Sequence, residues 1–597
     1  MKVKVKVNMS KSAGLACALM LMHGWVLAAK QPNVVLILAD DLGFSDTQPY
    51  GGEIRTPSIN ELAATGVSFT NYHTSASCAP SRAMLLTGVD SHINGVPNIP
   101  EAIPPQQKKH SNYQGELDTN VVTVASLLYD AGYHTYMAGK WHLGKQSHQL
   151  PFNRGFERTL SMADTGSDNW QAKPYLPLYN QANWTQDGEA AMMPKDFYSS
   201  ELLIDKTIEF IDSNIQDQKP FFAYVPFLAV HIPVQAPKSF TERYTKVYQD
   251  GWKELRRQRQ EQAKKLGVVP IDSLMNEMDT SSDWDSFSED EKQYHAKRMA
   301  VYAGMVEAMD FHIGRLITHL KHINQYDNTI FIFTSDNGSE ASGSDTPLSI
   351  ATQLGLGLTG YNNDYTTLGE KGSFNSIGPS FASAAASPLS YYKFYAGEGG
   401  MRVPMIISGA PLSKYKMQHN TYEDALTYVM DITPTILELT NVKHPENRYG
   451  GRRIEAMGGR SLLPMLSGNS EYIYGPEETI GYEVAGNKAL FQGDYKIMYN
   501  TGPVGDNQWH LYNIAADPGE TQDLKNIRPE HFENMKVLYA EYEKLHHIQP
   551  LPAGYNQQRQ LVLNGVKKII GTELFTLMLT LLTVLGFYFI YRFKKQL

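Results

Sequence analysis

The stretch "NVVLILADD", residues 33–41, joins a near-continuous apolar run to two adjacent carboxylates. A run rich in Val, Ile and Leu is typical of a strand that is buried on both faces of a sheet. Two other stretches, "PFFAYVPFLAVH" at 220–231 and "TIFIFTSDNG" at 329–338, repeat the pattern and also end at polar side chains. The sequence therefore predicts three buried strands of one largely parallel sheet.

Helical patterns separate these strands and occupy residues 58–65, 122–131, 199–213 and 294–321. Strands that alternate with helices indicate an α/β domain, here a large, mixed and mostly parallel sheet sandwiched by helices. In such sheets, functional sites gather beyond the carboxyl ends of the strands. We assign this catalytic domain to residues 29–440.

A shift in composition follows at "NVKHPENRYGGRR", residues 441–453, which is polar and contains Pro and Gly. Such a segment is typical of a domain edge. Beyond it, "KALFQGDYKIMYN" at 488–500 predicts a hairpin that turns at Gly493 and Asp494. The stretch 509–514 predicts another strand and 528–546 a closing helix, so residues 441–555 form a smaller α+β subdomain in this interpretation.

Both ends of the chain carry targeting patterns. Residues 1–28 begin with lysines, continue with an apolar run and end in small side chains, as in an export signal peptide. Residues 574–591 are uncharged and mostly apolar, and basic residues follow them, so we predict a transmembrane anchor with a basic tail at 566–597. The alternatives are a buried helix at either end, or a C-terminal sorting tail that is removed.

These patterns predict an exported protein on the periplasmic or extracellular face, held at the inner membrane by the C-terminal segment. The net charge of −9 argues against a nucleic-acid partner. Of the two cysteines, Cys17 lies in the predicted signal, which leaves Cys78 as a single thiol in an oxidising compartment. The charged residues 241–300 predict a helical insertion, and the polar residues 339–390 predict loops near the mouth of the site.

Asp40, Asp41, Asp336 and Asn337 follow two of the predicted strands. Three carboxylates and an amide carbonyl are hard oxygen donors, which suit Ca²⁺ or Mg²⁺ better than zinc. The structural alternative is that both pairs merely build turns or cap helices. One pair alone would favour that alternative, whereas two similar pairs after two buried strands favour a metal site.

Several ionisable residues lie near the predicted strand ends. His231 follows the run at 220–231, and Lys140 and His142 in "GKWHLG" are two residues apart, which places them on one side of an extended segment. Each of these residues, taken alone, is more often structural than catalytic.

The stretch "CAPSRAMLLTG", residues 78–88, matches the signature C-x-P-S-R followed by x-x-x-L-T-G. With this motif the chain resembles the type I sulfatases, the formylglycine-dependent members of the alkaline-phosphatase-like superfamily. The resemblance continues in family order through "NVVLILADDLG", "GKWHLG", "HIPVQAP", "TSDNG", "KFYAGEGGMRVP" and "HLYNIAADPGETQDL". The central insertion and the long loop before "EGGMRVP" resemble the bacterial arylsulfatase branch most.

The resemblance implies that a formylglycine-generating maturation enzyme oxidises the Cys78 side chain to an aldehyde, with Pro80 and Arg82 as recognition elements. An aldehyde hydrates to a gem-diol, in which one hydroxyl can attack sulfur while the other remains to release the sulfate. The family's metal is Ca²⁺, in preference to Mg²⁺. The metal ligands implied are Asp40, Asp41, Asp336, Asn337 and the Cys78 product.

The resemblance also implies roles for the remaining site residues. Arg82 and Lys140 would hold the diol, Lys393 would bind the sulfate, and His231 with Lys393 would meet the leaving-group oxygen. His142 would be the base that takes a proton from the second hydroxyl.

The implied function is a sulfuric-ester hydrolase of the arylsulfatase type that acts on a small-molecule sulfate ester. Two alternatives share the fold, namely a phosphonate monoester or phosphodiester hydrolase and a sulfatase of sulfated carbohydrates. An inactive, membrane-tethered anion-binding protein is the alternative from another class.

Overall fold

The computed structural model describes residues 1, 31–175, 179–346, 353, 356–415, 417–571 and 574. The predicted signal peptide at 1–28, apart from residue 1, and most of the predicted anchor at 566–597 lie outside these described residues. Within the described ranges, no helix combines the length and the apolar character that crossing a membrane requires.

The strands of the described ranges are numbered in chain order. They are β1 (Asn33–Ala39), β2 (Gly66–Phe69), β3 (Tyr72–His73), β4 (His134–Lys140), β5 (Arg158–Met162), β6 (Trp184–Gln186), β7 (Glu189–Ala190), β8 (Phe221–Pro226), β9 (Thr329–Ser335), β10 (Met405–Ser408), β11 (Thr421–Glu423), β12 (Thr427–Tyr428), β13 (Arg448–Tyr449), β14 (Arg452–Arg453), β15 (Thr479–Val484), β16 (Asn487–Gln492), β17 (Tyr495–Tyr499) and β18 (Trp509–Asn513).

The α-helices are numbered in the same way. They are α1 (Pro57–Ala64), α2 (Cys78–Thr87), α3 (Val124–Asp130), α4 (Ser199–Asn214), α5 (Lys238–Thr241), α6 (Gly251–Leu266), α7 (Glu289–His322), α8 (Gly378–Ala385), α9 (Glu398–Met401), α10 (Ile432–Leu439), α11 (Leu463–Leu466), α12 (Pro529–Leu545) and α13 (Gln557–Ile570).

In the described part of the chain, ten strands form the main sheet in the order β11-β2-β10-β9-β1-β8-β4-β5-β6-β7. The central strands β9, β1, β8, β4 and β5 run parallel, and β10, β6 and β7 introduce antiparallel pairs. In the register of β1 with β9, Ala39 pairs with Ser335, so the carboxyl ends of these two strands lie side by side. The predicted mixed, mostly parallel sheet is confirmed.

Strand β1 is buried on both faces, as its apolar run predicts. Val34, Leu36 and Leu38 join the core on one face of the sheet, and Val35 and Ile37 join the core on the other. Side chains of α2, α3 and α10 contribute to the first core, while α1, α4 and α7 contribute to the second. Helices therefore cover both faces, as the predicted sandwich requires.

A four-stranded antiparallel sheet, β15 to β18, forms the C-terminal part of the fold. Its hairpin between β16 and β17 turns at Gly493 and Asp494, as predicted. Phe491 and Met498 join the first core of the main sheet, whereas Leu490 packs on the other face with α12. The predicted C-terminal α+β unit is confirmed, while its limits at 441 and 555 stay a prediction.

The predicted strand at 220–231 is shorter in the structure. Strand β8 ends at Pro226, and the backbone then leaves the ladder, with Val230 N–H donating to the Asp40 carbonyl at 2.6 Å. His231 therefore lies in a loop beyond the strand end, where it approaches the residues that follow β1.

Candidate active site

The site begins where β1 and β9 end. Because these strands are parallel neighbours, Asp40 and Asp41 emerge beside Asp336 and Asn337. The Asp41 N–H donates to Asp336 Oδ1 at 3.2 Å, which ties the two loops together. Asp41 has a φ of 65°, a left-handed conformation that is uncommon for a residue with a side chain and that often occurs at functional sites.

Cys78 is the first residue of α2 and brings its thiol to these carboxylates. Its Sγ lies 3.8 Å from Asp41 Oδ1, and its side chain is buried. Cys78, Asp40, Asp41 and Asp336 place one ligand atom each within 4.8 Å of one another. The structure thus brings together three strand-end carboxylates and the predicted precursor residue, as the sequence predicts.

Asn337 completes the set of oxygen donors. Its Nδ2 donates to Asp41 Oδ1 at 2.7 Å, and its buried Oδ1 has no hydrogen-bond partner among the described residues. A buried amide oxygen with unused lone pairs beside three carboxylates is a suitable donor set for a hard divalent cation. These residues therefore fit the metal that the sequence motifs imply.

Two cations pair with the inner carboxylates. Arg82 lies one helical turn after Cys78, and its Nε and Nη2 contact Asp336 Oδ2 at 2.8 and 2.7 Å. Lys140, the last residue of β4, donates to both oxygens of Asp40 at 2.9 and 2.7 Å. Arg82 Nη1 also donates to the Lys140 carbonyl at 2.8 Å, so these two cations hold each other in place.

A third cation, Lys393, bridges Asp41 and Glu340. Its Nζ lies 2.7 Å from Asp41 Oδ1 and 3.0 Å from Glu340 Oε2. With Asp40 and Asp336, the site thus holds four buried carboxylates against three buried basic side chains. A buried cluster with this balance of charge favours the binding of an additional cation.

The electrostatic environment shifts the pKa values of the acidic groups in different directions. Burial raises the pKa of Asp40 above its usual value, although Lys140 opposes this rise. Burial also acts to raise the pKa of Asp336, but Arg82 and Lys140 outweigh it and hold that pKa below its usual value. Burial raises the pKa of the Cys78 thiol well above its usual range, so an unmodified Cys78 is a neutral thiol and a weak nucleophile.

His231 lies beside Asp41. Its Nε2 is 3.6 Å from Asp41 Oδ2, and its Nδ1 hydrogen-bonds the Ile232 carbonyl at 2.6 Å. Burial, together with Lys140 and Lys393, lowers the pKa of His231 well below its usual value. His231 is therefore a neutral imidazole whose Nδ1–H is committed to the backbone, which leaves Nε2 as the proton acceptor.

The sequence-based placement of Lys140 and His142 on one side of an extended segment is wrong. Strand β4 ends at Lys140, and His142 has a φ of 57°, so the alternation of a strand does not continue through these residues. His142 instead contacts Glu101, with 3.2 Å between its Nε2 and Glu101 Oε2. Burial lowers the pKa of His142 to about 4.

Glu101 and Glu340 belong to the site but carry no role in the sequence-based interpretation. Glu101 accepts hydrogen bonds from His142 and from the Tyr179 hydroxyl, and it lies in a loop without a recognisable pattern. Glu340 lies three residues after Asn337 in "SDNGSE", and this closeness in sequence to the predicted metal ligands could have indicated that it belongs to the site. Neither residue is part of a recognisable sequence motif, and both reach the site only through contacts that form when the loops fold.

A cavity of about 340 Å³ opens at this site. Cys78, His231 and Lys393 line this cavity, together with Glu101 and Glu340. The remaining lining residues are Ile99, Thr165, Tyr175, Ile232, Ser342 and Phe394, together with Leu561, Val562, Gly565 and Val566 of α13.

The chain is similar in sequence to known sulfatases. The Sulfatase family model matches residues 32–442, which is more than half of the chain. An uncharacterized sulfatase of Schizosaccharomyces pombe is 36% identical over 531 residues, which cover 86% of this chain and 94% of that protein. An arylsulfatase of Klebsiella aerogenes is 34% identical over 465 residues and covers 76% of this chain and 96% of its own length.

A solved structure has the same fold. The crystal structure of Ps i-CgsB in complex with k-i-k-neocarrahexaose superimposes with a TM-score of 0.61 at 22% identity, over 92% of this chain and 99% of that chain. Together with the family match over the strand-end carboxylates and the Cys78 motif, these similarities confirm the predicted family. The chain belongs to the sulfatase family and is a sulfuric-ester hydrolase.

Proposed function

We propose that this sulfatase cleaves small aryl or alkyl sulfate monoesters with a formylglycine made from Cys78 and with a bound Ca²⁺ ion. The observation that carries the proposal is the position of Cys78, a free thiol that lines the cavity with one ligand atom within 4.8 Å of three buried carboxylates. A buried neutral thiol is a weak nucleophile, which supports its conversion to a more reactive group.

The metal would be held by Asp40, Asp41, Asp336 and the unpartnered amide oxygen of Asn337. When bound, Ca²⁺ supplies Lewis-acid polarisation of the sulfate group. The oxygen-only donor set from the protein favours Ca²⁺ or Mg²⁺ over zinc, and the flexible coordination of Ca²⁺ tolerates a site built from two separate loops.

Conversion of Cys78 supplies, after hydration, one hydroxyl to attack sulfur and a second hydroxyl whose deprotonation releases the sulfate. Arg82 and Lys140 would hold this diol and stabilise its negative charge from their fixed positions against Asp336 and Asp40. Because both cations are fully buried and anchored, they need no rearrangement when charge develops.

Lys393 and His231 line the cavity and would contact the departing ester oxygen. Lys393 can donate a proton or a hydrogen bond to that oxygen, since its ammonium is stabilised by Asp41 and Glu340. His231 is neutral and held through Nδ1, so its orientation is fixed before the substrate binds.

His142 would take the proton from the second hydroxyl. Its Nε2 is paired with Glu101, and its buried Nδ1 has no hydrogen-bond partner within the described part of the chain. The Glu101 carboxylate thereby selects the tautomer that leaves Nδ1 as a base. The low pKa of His142 keeps this base unprotonated at neutral pH.

The direct test is the mass of the peptide that carries Cys78. We expect the difference between CH₂SH and CHO in protein from a host with a maturation enzyme, and an unmodified thiol in protein from a host without one. Activity on 4-nitrophenyl sulfate should follow the converted fraction. Full activity in protein that is entirely in the thiol form would overturn the proposal, and so would an inactive protein that is fully converted and loaded with Ca²⁺.

Two further measurements separate the alternatives. Relative kcat/KM on 4-nitrophenyl sulfate and bis(4-nitrophenyl) phosphate distinguishes a sulfatase mechanism from a phosphodiesterase, and we expect the sulfate ester to be preferred. Dialysis against a chelator should remove the activity, and Ca²⁺ should restore it more completely than Mg²⁺. An inactive anion-binding protein would bind sulfate but would show no turnover in either form.

A further inference from the structure

Helix α13 forms one side of the cavity, although it lies more than 110 residues beyond the end of the matched sulfatase region. Leu561, Val562, Gly565 and Val566 are spaced i, i+1, i+4 and i+5, which places them on one face of the helix. Val562 is 64% exposed and Val566 is 39% exposed. Val562 and Val566 are thus branched apolar side chains that the fold leaves exposed where they line the cavity.

This helix is fixed to the same loop that orients the base. Asn564 Nδ2 donates to the Glu101 carbonyl at 2.6 Å, and the hydroxyl of Tyr555, which lies just before the helix, donates to the Ala102 carbonyl at 2.8 Å. Leu561 packs against the first core of the main sheet. The apolar face therefore has a defined position relative to Cys78 and His142.

Two acidic groups of the cavity, Glu101 and Glu340, are already paired within the protein. Glu101 pairs with His142 and Tyr179, while Glu340 accepts from Lys393 and from the Ser342 hydroxyl at 2.7 Å. An arriving hydroxyl-rich group would therefore find few free partners along this wall. An apolar group would instead remove the exposed surface of Val562 and Val566 from water.

We propose that the face of α13 formed by Leu561, Val562 and Val566 binds the organic part of the substrate and selects sulfate esters of apolar alcohols or phenols. This proposal rests on the proposed function of the site. A sulfate seated against Cys78, Lys393 and His231 must extend its ester substituent outward into the cavity. The apolar face of α13 contacts that substituent and not the sulfate.

The experiment uses 4-alkylphenyl sulfates from methyl to hexyl, whose leaving groups have nearly equal pKa values and differ in apolar area. With the mature enzyme, kcat/KM should rise by roughly threefold for each of the first few methylenes, as expected for apolar surface transferred from water. The double variant V562Q/V566Q should reduce this dependence to below about twofold per methylene, because a longer alkyl group gains less from contact with polar side chains than with apolar ones.

The matched control is V537Q, which makes the same change on α12 at a valine that is 58% exposed and does not line the cavity. This variant should keep the wild-type dependence on alkyl length. Thermal unfolding of all three proteins checks that the exposed substitutions leave the fold intact.

The outcomes are distinguishable from a failure of the proposed function. A wild-type series without dependence on alkyl length, or a double variant with the full wild-type dependence, would overturn the role of α13. Faster turnover of galactose 6-sulfate than of the hexylphenyl ester would do the same. Absence of turnover on every ester, with the aldehyde verified by mass, would instead overturn the proposed function.

Discussion

At the scale of single residues, Cys78 couples the geometry of the site to its proposed chemistry. Its side chain is 1% exposed and lies near Lys140 and Lys393, whose positive charges favour a group that becomes anionic, while the nearby Asp41 carboxylate opposes this. The variant C78A should lose turnover by roughly 10⁴-fold or more, as expected when a nucleophile is removed. Its thermal unfolding should stay near that of the wild type, because only one sulfur atom leaves the core. Normal turnover in C78A would contradict the mechanism.

Glu101 gives a second prediction at this scale, because it contacts His142 Nε2 and thereby orients the proposed base. The variant E101Q keeps the size of the side chain but removes its charge and can present an amide N–H to His142 Nε2. We expect kcat to fall by roughly tenfold or more, which is part of the ~10²–10⁴-fold that a positioned base supplies, with little change in KM.

The pH dependence of E101Q distinguishes this effect from general damage. An ionised Glu101 raises the pKa of His142, so loss of the charge should lower that pKa and move the acid limb of the kcat profile to lower pH. The control E116Q changes a glutamate that instead accepts a hydrogen bond from Gln149. An acid limb that moves upward in E101Q would refute the assignment.

At the scale of elements, strand β17 of the C-terminal sheet supports the catalytic domain through one buried lysine. Lys496 Nζ donates to Glu398 Oε1 and to Glu520 Oε1, both at 2.8 Å. Glu398 begins the short helix α9 and also contacts His73 at 2.9 Å, and Lys393 lies five residues before it. The second sheet therefore helps to fix the segment that carries Lys393.

The variant K496M tests this connection. It removes the lysine from two buried carboxylates, of which Glu520 loses its charged partner while Glu398 keeps Arg402 at 3.5 Å. This should lower the free energy of unfolding by about 3–5 kcal/mol. The control K488M, on the neighbouring strand β16, removes a partly exposed pair with Glu543 and should cost less than about 1 kcal/mol. Urea denaturation measures the free energy of unfolding of both variants. Equal losses in K496M and K488M would show that the buried ion pairs of Lys496 stabilise the protein no more than the partly exposed pair of Lys488.

The elements also show which features the sequence could predict. Strands β1 and β9 were predictable because a continuous apolar run has few other arrangements, and their polar ends then had to meet in a parallel sheet. The hairpin at Gly493 was predictable from its local turn residues. The end of β8 at Pro226 was not, because the apolar run continues past the point where the backbone leaves the sheet.

Contacts between distant segments escaped prediction for a different reason. The bond from Asn564 to Glu101 joins residues 463 positions apart, and no local periodicity encodes such a pairing. Glu101, Glu340 and the apolar face of α13 therefore enter the site only through tertiary packing. The motif residues were predictable because the chemistry of the site requires their residue types and spacing. The positions of these neighbours depend instead on how distant segments pack in the folded chain.

At the scale of the whole molecule, His92 joins the catalytic domain to the C-terminal sheet. Its Nε2 contacts Glu483 Oε2 of β15 at 2.9 Å, and its Nδ1 lies 3.3 Å from Asp90 Oδ1. Burial lowers the pKa of His92, but the hydrogen bonds to Asp90 and Glu483 outweigh burial and raise it to about 9. The charged imidazole is therefore a stabilising contact between the two parts.

This contact predicts a specific dependence of stability on pH. Because the pKa in the folded protein exceeds the ordinary value of 6.5, the stabilisation is fully present below pH 6.5 and is lost as the pH rises through about 9. Between these limits, the wild type should lose on the order of 2–3 kcal/mol relative to H92Q, which lacks the titrating group. Parallel urea unfolding at pH 6 and pH 9.5 gives this difference, and a constant difference would contradict it.

The closed packing around Cys78 also fixes a sequence of events in the life of the molecule. An enzyme that modifies this side chain cannot reach it once the surrounding loops have closed, so the proposed conversion competes in time with folding of the newly made chain. A molecule that folds first keeps its sulfur atom permanently. Slower folding should therefore raise the fraction of molecules in which Cys78 is converted. For this sulfatase, faster folding would then lower the total activity of the protein produced.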